Sequence, residues 1–460
     1  MSRQTRNTLE EQDFKMTETS LRQPLTPRAS QDLMYNFSAV AMLLFCIRDG
    51  FTGSLRYYLQ FVNLGMVWFI PDLMAFVSFG IFVHLQFFKD KNASGIFIIC
   101  AFLWSLLVSV IYMNDNMISF FSSIKMFLPI FVGFCFYGRS ITEKRWTRTI
   151  LIVIFIASTT GILLNPYVSY PWLGQTFTSF GMERQATKLW WAAHNVPRYG
   201  GFAGDSTMAA FMTLFTYVLI SPYLSLLINI LLWPVIFVAL TYTNSKTAIG
   251  LSCIYVAFFI YIRFVSQSAF LKVLRQYARL SFACLLIPPF LMLTLTGVDL
   301  GSISPNLLSL ADRINNTWQL PFIHIAKIFP VGLFIGCGIG CYSYPMDYTP
   351  LTIYQEPLDN FYLTTFLMMG YPFAFFVFLQ YRGIKWIDSP QKLILILLWN
   401  IYTVTVQAYG PSYATLIYGY AFGEIFYQAR KVREAKARAA YIRRLDGPVE
   451  VPQPGRIVAT

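Results

Sequence analysis

Three cations lie far apart in the chain, each at the edge of an apolar segment: Arg198 in RYGGFAGDST, Lys246 in TYTNSKTAIG and Arg313 in DRINNTW. The arginine fork matches phosphate oxygens two at a time, so three such groups converging would suit a polyanionic ligand. The segment Glu356-Pro357-Leu358-Asp359-Asn360 adds carboxylates just before another apolar run. A carboxylate held near cations is what general-base chemistry on a hydroxyl requires, with Asp359 the first candidate and Glu356 the second. Lys125 sits inside an apolar run. A lysine there is costly unless paired or beside water, which makes it a further candidate.

Each of these residues also has a structural explanation. Asp205-Ser206-Thr207 is a good helix N-cap group, and Gly200, Gly201 and Gly204 before it could serve a tight turn. Lys246 can snorkel to an interface, Arg313 can pair with headgroups, and Trp318 can anchor at the membrane surface. Asp359 or Asn360 can cap the helix that follows. Gly336-Cys337-Gly338-Ile339-Gly340 is poor support for a phosphate loop without a strand–turn–helix context. Cys337 and Cys341 could form a disulfide, but two thiols packed beside that turn are the preferred reading. His194 and His324 are too few and too separated for a metal site.

The elements that must position these residues are apolar. Of 460 residues, 56% are hydrophobic, 18% aromatic and 12% charged. A soluble surface needs roughly a quarter to a third of its residues charged. The chain reads as an all-α polytopic membrane protein. Apolar runs of spanning length fall near 33–48, 68–88, 94–113, 118–138, 149–165, 206–221, 224–243, 248–265, 279–298, 361–381, 391–409 and 412–428. That makes about twelve transmembrane helices in a domain of residues 33–428, with both termini on one side. The stretch FTGSLRYYLQFVNLG between the first two runs reads as interfacial or re-entrant.

A net charge of +13 could suggest nucleic acid, but the basic residues fall in short runs between apolar segments. On the side of the termini lie 26 of the 35 lysines and arginines, the positive-inside pattern. Residues 1–32 read as a disordered cytoplasmic tail and 429–460 as a basic one that lies along anionic lipid. Two long connections, 166–205 and 299–360, occupy the other face. They carry Arg198, Arg313, Asp359 and most of the outer aromatics.

The order of these motifs resembles the O-antigen ligase and Wzy-type polymerase superfamily (Wzy_C). It comprises an Arg-containing, Gly-rich outer loop opening a span (RYGGFAGDS) and a span ending in Ser-basic-small (NSKTA). A large outer loop follows with RINNTW, P-x-G and GxGxG, and then DNFYL leads into another span. The resemblance covers roughly residues 190–370. It implies a GT-C-like fold and cofactor-free, metal-independent glycosyl transfer from undecaprenyl-diphosphate-linked oligosaccharide on the periplasmic face of a bacterial inner membrane. The positions that would engage the diphosphate match Arg198, Lys246 and Arg313. Lys246 departs from the arginine usual there. Ligases commonly show His-Asn before the late span, whereas this chain has Asp359-Asn360, which favours a polymerase of exopolysaccharide or O-antigen repeat units.

The expected chemistry is inverting. Asp359 or Glu356 would take the proton of the acceptor hydroxyl, and Trp190, Trp191, Trp318 and Tyr354 would stack on sugar rings. Membrane lipids, a chain-length regulator and a flippase are the expected partners, and nucleic acid is not. The runner-up is ligation of finished glycan to lipid A core or protein. A transporter or flippase of lipid-linked sugars is the reading from another class. Transport would want polar residues at mid-membrane depth, where only Lys125 lies.

Overall fold

The computed structural model describes residues 26–114, 116–179, 182–188, 190–192, 196–304, 307–356 and 358–427. The expected tails therefore lie largely outside the described residues. The first helix, α1 (Thr26–Gly50), begins inside the segment expected to be a tail. A short α2 (Thr52–Phe61) follows, with Tyr58 and Phe61 exposed, as suits an interfacial helix. Next come α3 (Ile70–Val83), α4 (Ala93–Tyr112), α5 (Met117–Phe134) and α6 (Arg145–Leu164). Asn92 and Asn116 start α4 and α5 by accepting amide hydrogens of the first turn, the latter at 2.9 Å from Ile118 and Ser119.

The first long connection holds two small antiparallel hairpins, β1 (Thr176–Ser179) with β2 (Met182–Gln185) and β3 (Trp190–Ala192) with β4 (Val196–Arg198). Helices α7 (Ser206–Ile220), α8 (Leu226–Thr243), α9 (Lys246–Tyr261), α10 (Gln267–Leu280) and α11 (Ile287–Leu295) follow. The second long connection folds into short helices α12 (Leu300–Ile303), α13 (Leu308–Asp312), α14 (Leu320–Ile328) and α15 (Gly332–Ile335). The chain ends with α16 (Phe361–Met369), α17 (Tyr371–Gly383), α18 (Pro390–Tyr402) and α19 (Ser412–Phe422).

Among the described residues, seven helical stretches are long and apolar enough to cross a membrane: 32–50, 65–89, 93–112, 117–134, 145–164, 226–243 and 267–295. The protein is membrane-embedded and mostly helical, with little sheet. The other five expected runs fold as shorter helices, with α16 and α17 meeting at Gly370. The run 391–409 is cut at Tyr402 because residues 403–406 turn their carbonyls to the second connection: Thr403 and Val406 accept from the Phe361 amide, and Val404 accepts from Asn360 Nδ2 at 2.9 Å.

All of α19, all of α7 but Thr207, and most of α18 are buried among their neighbours. Helices α5 and α19 cross closely enough that a methyl added at Gly133 would lie 2.1 Å from the Leu416 carbonyl, and one at Gly419 2.1 Å from that of Ile130. Small residues at such crossings let packing replace a hydrophobic force that lipid does not supply.

The segments expected inside gather at one end of the bundle. Arg139 pairs with Asp32 at 2.9 Å, Tyr35 donates to the Ile141 carbonyl, and Lys392 bonds Glu424 and the Phe136 carbonyl. The far end of α1 packs under both long connections, with Gly53 just beyond it donating to the Phe202 carbonyl at 2.9 Å.

The glycine-rich turn of the second connection is architectural. Gly336, Gly338 and Gly340 all have positive φ, and the amides of Cys337 and Gly338 bond the carbonyls of Leu367 and Met368. A methyl on Gly338 would lie 2.3 Å from the backbone of Ser109 on α4. Gly338→Ala should therefore leave little folded protein, whereas Gly250→Ala on α9, where nothing lies within 4 Å, should melt at or slightly above the wild-type temperature. Thermal unfolding in detergent, read by size-exclusion chromatography, checks both. Cys337 and Cys341 form a disulfide, contrary to the expectation of two thiols, because the turn folds back and brings their Cα atoms to 6.0 Å.

Candidate active site

The first connection re-enters the bundle through glycines. Gly201, with φ +61°, donates its amide to Asn165 Oδ1 at 2.9 Å and sits against the backbone of Gly161 and Ile162 on α6. Asp205 Oδ1 accepts from the Met208 amide at 2.8 Å and caps α7. The glycines and Asp205 thus have the structural roles. Arg198, the last residue of β4, does not. It is half-buried and donates no hydrogen bond among the described residues, and its Nε is buried without a partner. Burial, then the neighbouring Arg313, hold its pKa below the usual arginine range, with Asp359 opposing them.

Arg313 comes from a π turn at residues 313–317 of the second connection. Its guanidinium donates to Ser309 Oγ at 2.8 Å and stands 3.7 Å from Asp359 Oδ2, while its Nε has no partner. Asn360, not Asp359, caps α16, accepting from the Leu363 amide at 2.8 Å. Asp359 is thereby left to face the two arginines, and 45% of its side chain is exposed, enough to meet a ligand.

Burial raises the Asp359 pKa above the ordinary carboxylate range and Asp312 raises it further, while Arg313 and Arg198 pull it down. A base works only when deprotonated, so activity should fall as pH drops through this raised value. Asp312→Asn removes a raising charge and should move the acid limb of the kcat/KM profile to lower pH while leaving its plateau in place.

Lys246 opens α9 and is exposed. No direct contact with the two arginines is present among the described residues. A circuit of hydrogen bonds nonetheless runs from its element to theirs. Thr247 Oγ1 lies 3.2 Å from Thr405 Oγ1, Val404 accepts from Asn360, and Tyr199 donates to the Tyr242 carbonyl at 3.0 Å. These bonds tie α8 and α9 to the segments that carry Arg198 and Asp359, but Lys246 itself touches neither among the described residues.

Other expected members stand elsewhere. Lys125 belongs to a separate polar cluster, 3.4 Å from Asp72 Oδ2 and over the ring of Phe69. Trp318 is only 1% exposed, packed with Leu300 and Ile314, and has no free face for a sugar. Burying the indole in this small core is how the second connection orders itself. Trp190 and Trp191 pair through their backbones with Arg198 and Pro197, and their side chains, like His194, lie outside what is described. Tyr354 is half-buried against His324, with ring centroids 5.6 Å apart. Glu356 is half-buried and joins no ion pair among the described residues. No group of three or more His, Cys, Asp or Glu among the described residues is placed to hold a metal ion.

The cluster around Lys125 is the part that sequence reasoning missed. Arg48 NH1 bonds Asp72 Oδ1 at 2.8 Å, its Nε faces Asp49, and the Tyr413 amide donates to Asp49 Oδ2 at 2.6 Å. The rule that a lysine inside a span needs a partner could have pointed to Asp72, just inside the apolar run 68–88.

What the arrangement can do chemically is bind an anion beside a carboxylate. Two arginines with unsatisfied Nε groups, from different connections, flank an acid that reaches solvent. Compared with protein-family models, curated proteins and solved structures, the chain finds no match.

Proposed function

We propose that the protein is a polymerase that joins undecaprenyl-diphosphate-linked oligosaccharide repeat units into exopolysaccharide or O-antigen. The observation that carries this reading is the meeting of Arg198 and Arg313, from separate connections, at Asp359. Asp359 takes the proton of an acceptor sugar hydroxyl, whose oxygen attacks the anomeric carbon of the donor. The bond from that carbon to the diphosphate oxygen breaks, and the configuration inverts. Arg198 and Arg313, with Lys246, take up the negative charge on the departing undecaprenyl diphosphate.

Binding and base strength are coupled in this scheme. Arg313 lowers the Asp359 pKa in the empty site. A diphosphate that engages Arg313 draws that cation away and brings its own negative charge near, so Asp359 becomes the stronger base when the donor is in place.

The membrane arrangement in this proposal is a GT-C-like fold of twelve crossings. The seven long helices are completed by α7, α9, the α16–α17 pair, α18 and α19, and the burial of α7, α18 and α19 supports their lying inside the bundle. Both termini face the cytoplasm of a bacterial inner membrane and the site faces the periplasm. The positive-inside distribution supports that orientation, and so does the disulfide of the second connection, which suits an oxidising compartment. A flippase and a chain-length regulator would be the working partners.

Purified protein incubated with its lipid-linked repeat unit tests the reading. A ladder of products that persists in EDTA is expected. One transfer onto lipid A core without a ladder would make it a ligase, and movement of the lipid-linked sugar across vesicles without transfer would make it a flippase.

A further inference from the structure

A second group of cations lies under the same two connections. Arg48, Arg56, Lys125 and Arg184 converge on three carboxylates: Asp49 and Asp72 neutralise Arg48 and Lys125, and Asp347 stands 3.5 Å from Arg184. Arg56, on α2, is left over. It forms no ion pair and donates no hydrogen bond among the described residues, and its Nε is buried without a partner. Its guanidinium lies over the rings of Trp68 and Phe177, at 4.3 and 4.1 Å. Burial, with Arg48 and Arg184 nearby, pushes its pKa down to about 10, against the opposing pull of Asp49.

We propose that Arg56 binds the carboxylate of an acidic sugar in the substrate glycan. Two rings lie against the guanidinium and its Nε has no acceptor, so its N–H fork is left to match one carboxylate two-pronged. One unpaired guanidinium fits a single negative charge better than a diphosphate. The half-buried rings of Phe177 and Tyr348 offer apolar faces to a pyranose. Position favours a glycan over a lipid headgroup. Phe177 and Arg184 come from the first connection and Asp347 and Tyr348 from the second, the same two that supply Arg198, Arg313 and Asp359. Both groups of residues are thus built on the same two connections.

The choice of a sugar as ligand rests on the glycosyl-transfer reading, but the test needs no turnover. Tetragalacturonate and its carboxyl-reduced, neutral counterpart are titrated into detergent-purified full-length protein, followed by calorimetry. Wild type should bind the uronate and not the neutral sugar. Arg56→Gln should weaken uronate binding by at least about tenfold, whereas Lys327→Gln, at an exposed cation assigned to neither site, should leave it within about twofold. If Arg56→Gln does not fold, Arg56→Lys, which keeps the charge and loses the fork, should still weaken binding at least about threefold. Equal binding of the neutral sugar, no binding at all, insensitivity to Arg56, or binding of phosphatidylglycerol nanodiscs alone would each overturn the proposal. Uronate binding without a product ladder would sink the polymerase and leave this site standing; a ladder without uronate binding would do the reverse.

Discussion

Asp359→Asn is expected to lower kcat for glycosyl transfer by about 10²- to 10⁴-fold, the range that a positioned general base contributes. The amide keeps the size of the side chain and can still face Arg313, so the fold should survive. It can no longer accept the proton of the attacking hydroxyl, so the loss should fall on kcat with KM for the lipid-linked donor nearly unchanged. The acid limb of the pH profile should vanish with it, because no titrating carboxylate remains to produce one. Asn360 provides the contrast. It caps α16 and holds the Val404 carbonyl, so Asn360→Ala should lower the melting temperature while the pH profile of whatever protein folds keeps its shape.

Arg198→Ala is expected to cost about 10²- to 10³-fold in kcat/KM, comparable to removing one donor that stabilises developing negative charge. Nothing among the described residues depends on its guanidinium for a hydrogen bond, and its burial beside Arg313 is unfavourable for a cation. The substitution should therefore leave stability unchanged or slightly raised. Lost activity with retained stability is the pattern expected of a residue kept for a ligand. Arg198→Lys should recover part of the activity, since the charge returns but the two-pronged geometry does not. Quantifying released undecaprenyl diphosphate in a purified assay reads both variants.

Arg198, Arg313 and Asp359 are legible in the sequence because charge at the mouth of an apolar run has few places to go. Either it pairs with headgroups or it serves a site, and two long connections on one face favour the site. Lys125 shows the limit of that logic. Its type and depth mark it as paired or functional, but its partner Asp72 comes from another helix, and no spacing rule joins them. Arg48 is harder still, since its partners Asp72 and Ser412 lie 24 and 364 positions away.

Trp318 misleads for a different reason. An interfacial tryptophan looks the same in sequence whether its ring faces a ligand or Leu300 and Ile314. Helix ends within apolar runs are equally hidden. Val404, Val406 and Ala408 continue the hydrophobic pattern past Tyr402, yet the backbone leaves the helix there to bond Asn360 and Phe361. The disulfide is masked because a CxxxC spacing does not reveal the positive-φ glycines that fold it back.

The central claim is that Arg198 and Arg313 act on one departing diphosphate. A double-mutant cycle measures this directly, as the rate of undecaprenyl diphosphate release by wild type, Arg198→Ala, Arg313→Ala and the pair. Two cations sharing one leaving group should give a double variant far less impaired than the product of the two single losses. Losses that multiply would place the two arginines at independent sites and contradict a shared anion pocket beside Asp359.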